Sequence, residues 1–347
     1  MNPLSQDLDH VLAHTGDAWR ALDGARLFVT GGTGFIGTWL LEGFAWAYDH
    51  RAVDASVTVL TRSPEAFRIK APHLALHPAI HLLRGDVRTF EFPADRFTHV
   101  IHGATEASEK LNREQPIEMV ETIVDGTRRT LKFAVHAGAR RFLQLSSGAV
   151  YGVLPGLVAE TFRGGPDTTD PRFAYAEGKR LAELLCVMYA RHHGLECPIA
   201  RCFAFVGPYL PLDAHFAIGN FIGDTLAGRP IEIRGDGTPL RSYLYAADLA
   251  IWLWNILVHG ESGPYNVGSD QEISIRDLAS AVAGVLDARH PVRIAGIPVP
   301  GVRPECYVPS VKRAQGELGL RQWIGLEESI RRTASWHSLR ASKEAAA

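Results

Sequence analysis

Arg26-Leu27-Phe28-Val29-Thr30-Gly31-Gly32-Thr33-Gly34-Phe35-Ile36-Gly37 is the stretch from which the rest of the chain can be read. Its first five residues are a short, mostly apolar run that ends at glycine, as expected of a strand covered on both faces. Three glycines at intervals of three follow, and then a helical pattern begins. Gly31 permits a tight turn, Gly34 lets the backbone approach a pyrophosphate, and Gly37 lets the helix sit close to the strand. The first helical N–H groups, including those of Phe35 and Ile36, offer partial positive charge to phosphate oxygens. A glycine triplet alone is a weak sign. On the first strand of a βαβ unit it points to a dinucleotide.

Working outward, similar short runs recur at Ser56–Leu60, Ile80–Leu83, His99–His102, Arg141–Ser146 and Pro198–Phe203. Helical patterns lie between them near 35–48, 116–137 and 171–193. The last is marked by Asp170 as cap, Pro171 in the first turn and Gly194 at the end. Its core stripe is expected at Leu181, Leu184, Leu185 and Met188. This alternation predicts an α/β fold: a Rossmann-type doubly wound parallel sheet. Leu4, Leu8, Val11, Leu12 and Trp19 predict a helical N-terminal extension packed on that unit. Residues 1–203 are thus expected to form the dinucleotide-binding domain with its extension. Segments 204–236 and 290–347, richer in Pro, Gly and isolated Arg, predict a smaller discontinuous α/β substrate domain, with 237–289 returning to the main one. Trp252 and Trp254 read as core, and residues 345–347 as a frayed tail.

The bulk properties exclude several classes. The 347 residues carry 46% apolar and 21% charged side chains, with a net charge of −2. Nothing there suggests nucleic acid or a membrane surface as partner. No uncharged apolar run reaches the roughly 18–20 residues of a spanning helix. The N-terminus lacks the pattern of a secretory leader. Cys186, Cys197, Cys202 and Cys306 form no Cys-x-x-Cys pair and no metal spacing with histidine, so reduced thiols and no metal are expected. A cytoplasmic protein follows from these readings.

The second strand ends Leu60-Thr61-Arg62. A carboxylate there would accept from the adenosine ribose hydroxyls of NAD; Thr61 takes its place, and the Arg62 guanidinium can pair with a 2′-phosphate. NADP(H) is therefore the favoured cofactor, with NAD(H) the alternative. Asp86-Val87 follows the third strand where an adenine contact belongs. Ala104 follows the fourth, beside the middle of the cofactor, and Phe203 at the end of the sixth is also placed at the cofactor.

Tyr175 and Lys179 stand at i and i+4 on one helix face. Hydride transfer at a carbinol needs a proton moved at the same oxygen. Tyr175 can move it if its pKa falls toward working pH, an effect expected from Lys179 and a positive nicotinamide. Lys179 can also hold the nicotinamide ribose. Ser147 in Ser146-Ser147-Gly148-Ala149-Val150-Tyr151-Gly152 ends a predicted strand and offers a hydroxyl to the reacting oxygen.

The glycine loop, the Ser-Ser-x-x-Val-Tyr-Gly segment, Tyr175/Lys179 and Gly235-Asp236-Gly237…Arg241…Tyr245…Asp248 occur in order with compatible spacing. Together they resemble the extended short-chain dehydrogenase/reductases, the nucleotide-sugar epimerase/dehydratase family, over about residues 25–335. The resemblance implies Ser147, Tyr175 and Lys179 as the catalytic set. It implies Arg241 and Arg303 as ligands of a substrate diphosphate, Gly148 beside the sugar, and Asn220-Phe221, before a helix of the small domain, near the nucleotide base. It also implies a homodimer through helices 116–137 and 173–193. The partner expected is a nucleotide-diphosphate sugar.

Departures from the family pattern narrow the chemistry. The 4,6-dehydratases of this family carry an acidic residue, often an Asp-Glu pair, where this chain has Gly148 and Ala149, and the sugar-acid decarboxylases usually carry a Glu there. Elimination needs groups to protonate the leaving hydroxyl and to remove a proton, so dehydration is disfavoured. Ala204, Ile123 and Ser242 replace other frequent residues and affect the substrate pose. The leading expectation is reduction of a 4-keto nucleotide-sugar by NADPH. The alternative is C4 epimerisation with bound NAD. Behind them stand a 4,6-dehydratase and a non-catalytic dinucleotide sensor on the same fold.

Overall fold

All six short apolar runs read from the sequence, and a seventh strand that the pattern did not mark, pair side by side in the computed structural model, which describes residues 2–51, 53–105, 109–214 and 216–345. They are β1 (Arg26–Thr30), β2 (Ser56–Thr61), β3 (Ile80–Arg84), β4 (His99–His102), β5 (Arg141–Ser147), β6 (Pro198–Cys202) and β7 (Gly263–Val267). The sheet order is β7-β6-β5-β4-β1-β2-β3, and every pairing is parallel. The expected Rossmann-type doubly wound sheet is therefore present. Chain order reverses between β1 and β4, so the strand ends on either side of that junction border a crevice.

The side-chain alternation of β1 shows how both faces are filled. Leu27 and Val29 point into a core shared with Trp39 and Trp254, from helices Phe35–Arg51 and Ala246–His259. Phe28 points the other way, against Phe90, Phe97 and Phe133, with its ring centroid 4.4 Å from that of Phe133. That second face is covered by helices Pro116–Ala137 and Ala174–His193. Trp252 and Trp254 are fully enclosed, as core residues.

Helix Ala174–His193 corrects one expectation. Asp170 does accept from the Arg172 N–H at 2.9 Å, Pro171–Phe173 form a preceding 3-10 turn, and Gly194 closes the helix at φ 67. The buried stripe, however, is Ala176, Gly178, Lys179, Ala182, Glu183 and Cys186. Leu181, Leu184 and Met188 are exposed, and Leu185 is half-buried. The cause is close packing of Gly178, where an added Cβ would stand 3.0 Å from Ile123 Cδ1 on the neighbouring helix. Small residues face inward because the two helices nearly touch, and the leucines turn outward.

Three smaller strand groups follow β6: Phe205–Val206 with Leu244–Tyr245, Ile231–Ile233 with Val292–Ile294, and Leu240–Arg241 between Ile273–Ser274 and Cys306–Tyr307. The N-terminal helices Ser5–Ala13 and Gly16–Ala21 bury Leu4, Leu8, Val11, Leu12 and Trp19 as read from the sequence. The last helix runs Leu326–Ala345, and residues 346–347 lie outside the described residues. No described helix is long and apolar enough to cross a membrane.

Asp248 ties these ends to the domain. It is fully buried; one oxygen meets His10 Nε2 at 2.9 Å, and the other accepts the backbone N–H groups of Trp323 and Ile324, each at 2.9 Å. Asp248→Ala would leave two buried N–H groups without an acceptor. An unpaired buried donor costs about 1–3 kcal/mol, so urea titration should show a loss of roughly 3 kcal/mol in unfolding free energy.

Candidate functional site

A cleft of about 500 Å³ opens over the crevice beside the junction. Gly31, Thr33 and Gly34 line it from the end of β1, Thr61, Arg62 and Ser63 from β2, Gly85, Asp86, Val87 and Arg88 from β3, and Gly103, Ala104 and Thr105 from β4. Lys70 and Glu118 complete its charged wall. Gly31 has φ +74, and a Cβ there would fall 2.4 Å from the Gly103 carbonyl carbon. A Cβ on Gly37 would fall 2.3 Å from Gly31 O. This is the cradle that an extended dinucleotide needs, and the residues present fit one.

The predicted cofactor residues divide accordingly. Gly31, Gly34, Thr61, Arg62, Asp86, Val87 and Ala104 all line the cleft. Gly37 is buried beneath the loop, and Phe35 and Ile36 turn their side chains to the core, leaving only main chain at the helix start. Asp86 grips Arg88 with two bonds of 3.0 Å, which holds its carboxyl below the usual range. Phe203 does not line the cleft. Its ring lies over Gly148 and stacks on Tyr307 with centroids 4.8 Å apart.

Beneath the loop, His102 joins β1 to the long helix. One ring nitrogen meets Thr30 Oγ1 at 2.7 Å and the other Thr127 Oγ1 at 3.1 Å. Complete burial, with Lys179 nearby, lowers its pKa to about 3, so the ring is neutral near pH 7.

Ser147, Tyr175 and Lys179 come together as expected. Lys179 donates to Thr105 Oγ1 at 3.1 Å and Leu145 O at 2.9 Å, which links this group of side chains to the cleft wall. Burial lowers its pKa to about 8, although Cys202 and Glu183 oppose the shift. Tyr175 departs from expectation: burial pushes its pKa up to about 12, and a hydrogen bond with Ser147 only partly opposes this. Lys179 Nζ stands 5.8 Å from the Tyr175 ring centroid, too far to offset desolvation. The phenol is thus held protonated, the form a proton donor needs.

The substrate-side residues are less uniform. Arg241 donates to Glu305 at 2.8 Å, and its strand lies in register with Tyr307. Arg303 is exposed, and its charge, like that of Arg241, acts against the upward push of burial on the Cys306 thiol. Asn220 lies inside helix Ala217–Leu226 rather than before it, and is half-buried. Phe221 packs into the core, because the inward face of that helix is Ile218, Gly219, Phe221 and Ile222. Its ring is therefore unavailable to a nucleotide base.

Gly148 is explained by its neighbour. A Cβ there would lie 2.7 Å from the Phe203 ring, so an acidic side chain at this position would require that ring to move. Tyr307 was not anticipated. Its hydroxyl shares Ser147 with Tyr175, and burial raises its pKa. The segment Val302–Pro309 carries no motif for it; only strand pairing beside Arg241 brings it in. Tyr307→Phe keeps the ring stack and removes the hydroxyl. Loss of one positioned hydrogen bond should lower turnover about tenfold while dinucleotide affinity, read by fluorescence titration, stays unchanged.

Comparison with known proteins agrees with this geometry. The model of the NAD dependent epimerase/dehydratase family matches residues 27–268. UDP-glucuronic acid decarboxylase 1 of Arabidopsis thaliana is 31% identical over 312 residues, covering 89% of this chain and 69% of that protein. Among solved structures, the Thermus thermophilus UDP-glucose 4-epimerase complex with NAD is 26% identical, covers 90% of this chain and 99% of its own, and superposes with a TM-score of 0.74. The dTDP-glucose 4,6-dehydratase of Streptomyces venezuelae, with NAD bound, is 25% identical, covers 91% of this chain and 98% of its own, and has a TM-score of 0.77.

Proposed function

Because the chain belongs to the NAD-dependent epimerase/dehydratase family, we propose that it reduces the 4-keto group of a nucleotide-diphosphate sugar at the expense of NADPH. The observation that carries this reading is a catalytic pocket with a protonated phenol and no acid at residue 148, where Phe203 fills the space. The family resemblance implies an acidic group around this position for dehydration or decarboxylation; here Ala149 also lacks one. Arg62 at the cleft, with no carboxylate at the end of β2, supports NADPH over NAD.

The bound nicotinamide would supply hydride to the carbonyl carbon. Ser147 would hold the carbonyl oxygen, and Tyr175 would give it the proton that completes the alcohol. Lys179, anchored on Leu145 O and Thr105, would hold the nicotinamide ribose. Arg241 and Arg303 would receive the substrate diphosphate, with the module of residues 204–236 and 290–347 over the sugar. A second reading, C4 epimerisation with retained NAD, is favoured by the likeness to the Thermus thermophilus epimerase, and it uses the same three residues.

The test is nicotinamide absorbance with purified protein, NADPH and nucleotide-linked 4-keto-6-deoxyhexoses bearing different bases. Stoichiometric NADPH loss with an alcohol product supports the reductase. No loss across the panel, with tightly bound NAD released on denaturation, moves the assignment to the epimerase. Tyr175→Phe should lower kcat by about 10²–10⁴ and keep cofactor binding; unchanged activity would remove Tyr175 as proton donor. Since Lys179 acts charged, the reduction rate should fall as pH rises through about 8.

We further propose a cytoplasmic homodimer. The outward face of helix Ala174–His193 exposes Leu181, Leu184, Val187 and Met188 to solvent, an apolar strip suited to burial against a second copy. Sedimentation of Leu184→Glu with Met188→Glu should give monomer where the wild type gives dimer. A wild-type monomer at micromolar concentration would sink the proposal.

A further inference from the structure

Lys70 is a cation in an unfavourable place. It ends the short helix Pro64–Lys70 that follows Arg62 and Ser63, and its ammonium reaches back to the glycine loop. Nζ donates to Thr33 O at 2.7 Å and to Thr38 Oγ1 at 3.4 Å, and it stands 5.9 Å over the Tyr209 ring. Thr38 Oγ1 in turn donates to Gly34 O at 2.6 Å, so the lysine is bonded into the loop itself. Burial and the Arg340 guanidinium both work against its charge, and among the described residues no carboxylate acts to offset them. A partly desolvated ammonium in the field of a second cation is poorly stabilised by neutral oxygen acceptors and an aromatic face.

Lys70 also lines the cleft, together with Thr33, Arg62 and Ser63. Arg62 brings a planar fork from the end of β2, and Lys70 brings a point charge from beneath the loop. An anion between them would be met by charge-assisted bonds from two directions. The ribose next to the adenine is the part of a dinucleotide that lies beside the end of the second strand.

We infer that Lys70 and Arg62 form a two-armed receptor for a phosphate monoester on the adenosine ribose of the cofactor, with Lys70 anchored on the loop that cradles the pyrophosphate. This rests on the NADPH reading above and adds to it a residue from outside the strand end. Lys70 thereby couples recognition of the extra phosphate to the conformation of the glycine loop.

Calorimetry on the full chain with two probes, 2′,5′-ADP and 5′-ADP, separates the two claims. The wild type should bind 2′,5′-ADP more tightly. Lys70→Gln should lose about tenfold in affinity for 2′,5′-ADP, a change of about 1.4 kcal/mol, and keep its affinity for 5′-ADP. Lys70→Arg should recover most of the loss. Retained 5′-ADP binding also certifies that the variant folds. A wild type that prefers 2′,5′-ADP with Lys70→Gln unaltered overturns the Lys70 assignment and leaves the cofactor reading standing. Equal losses for both probes also overturn it, by assigning Lys70 to the pyrophosphate. A wild type without preference overturns the cofactor reading and the receptor together.

Discussion

At the C-terminal edge of the sheet, main chain lies directly on main chain. Gly31 rests against Gly103 and Ala104, and Gly37 rests against Gly31 and Gly32, with no room for a methyl group at either contact. Thr30 Oγ1 accepts the N–H groups of Gly103 and Ala104, each at 3.2 Å, which fixes the two loops side by side. The separation of β1 and β4 above the sheet depends on this contact. So does the shape of the cleft, since most of its lining comes from the loops that leave four adjacent strands. Packed interiors transmit such constraints because they leave little free volume.

The groups proposed to be catalytic are coupled to the same edge by hydrogen bonds rather than by packing. Lys179 reaches Thr105, two residues past Gly103, and also binds the carbonyl of Leu145 on β5. Ser147 ends that strand and meets both Tyr175 and Tyr307. A line of contacts thus runs from the pyrophosphate cradle to the residues proposed to hold the sugar. Glu183 supports it from behind, taking a 2.5 Å bond from Ser146 and a salt bridge from Arg201. Both Glu183 oxygens are engaged by Arg201, which fixes the carboxylate behind the strand end.

Six of the seven sheet strands were legible in the sequence because each is a short, mostly apolar run stopped by a turn residue; β7, Gly-Pro-Tyr-Asn-Val, carries no such run and was missed. The Ser147, Tyr175 and Lys179 constellation was legible because its spacing matches a strand end and one helix face. What pattern missed was set at a distance. The buried face of helix Ala174–His193 is chosen by how closely helix Pro116–Ala137 approaches, so leucines that look like a core stripe stand outside. Phe221 turns inward because its helix begins at Ala217, upstream of the place assigned to it. Lys70 and Tyr307 enter the site from segments without a motif, by a helix end and by a two-residue strand.

Phe203 and Gly148 also bear on how this protein can change over evolutionary time. With the ring 2.7 Å from where a Cβ would be, any side chain at 148 requires the Phe203 ring to move. A smaller residue at 203 would make that room, and by itself it gives up the ring contact with Tyr307. The two positions are therefore coupled: what a substitution at 148 costs depends on which residue stands at 203, so a lineage reaches a larger side chain at 148 more readily in two steps than in one.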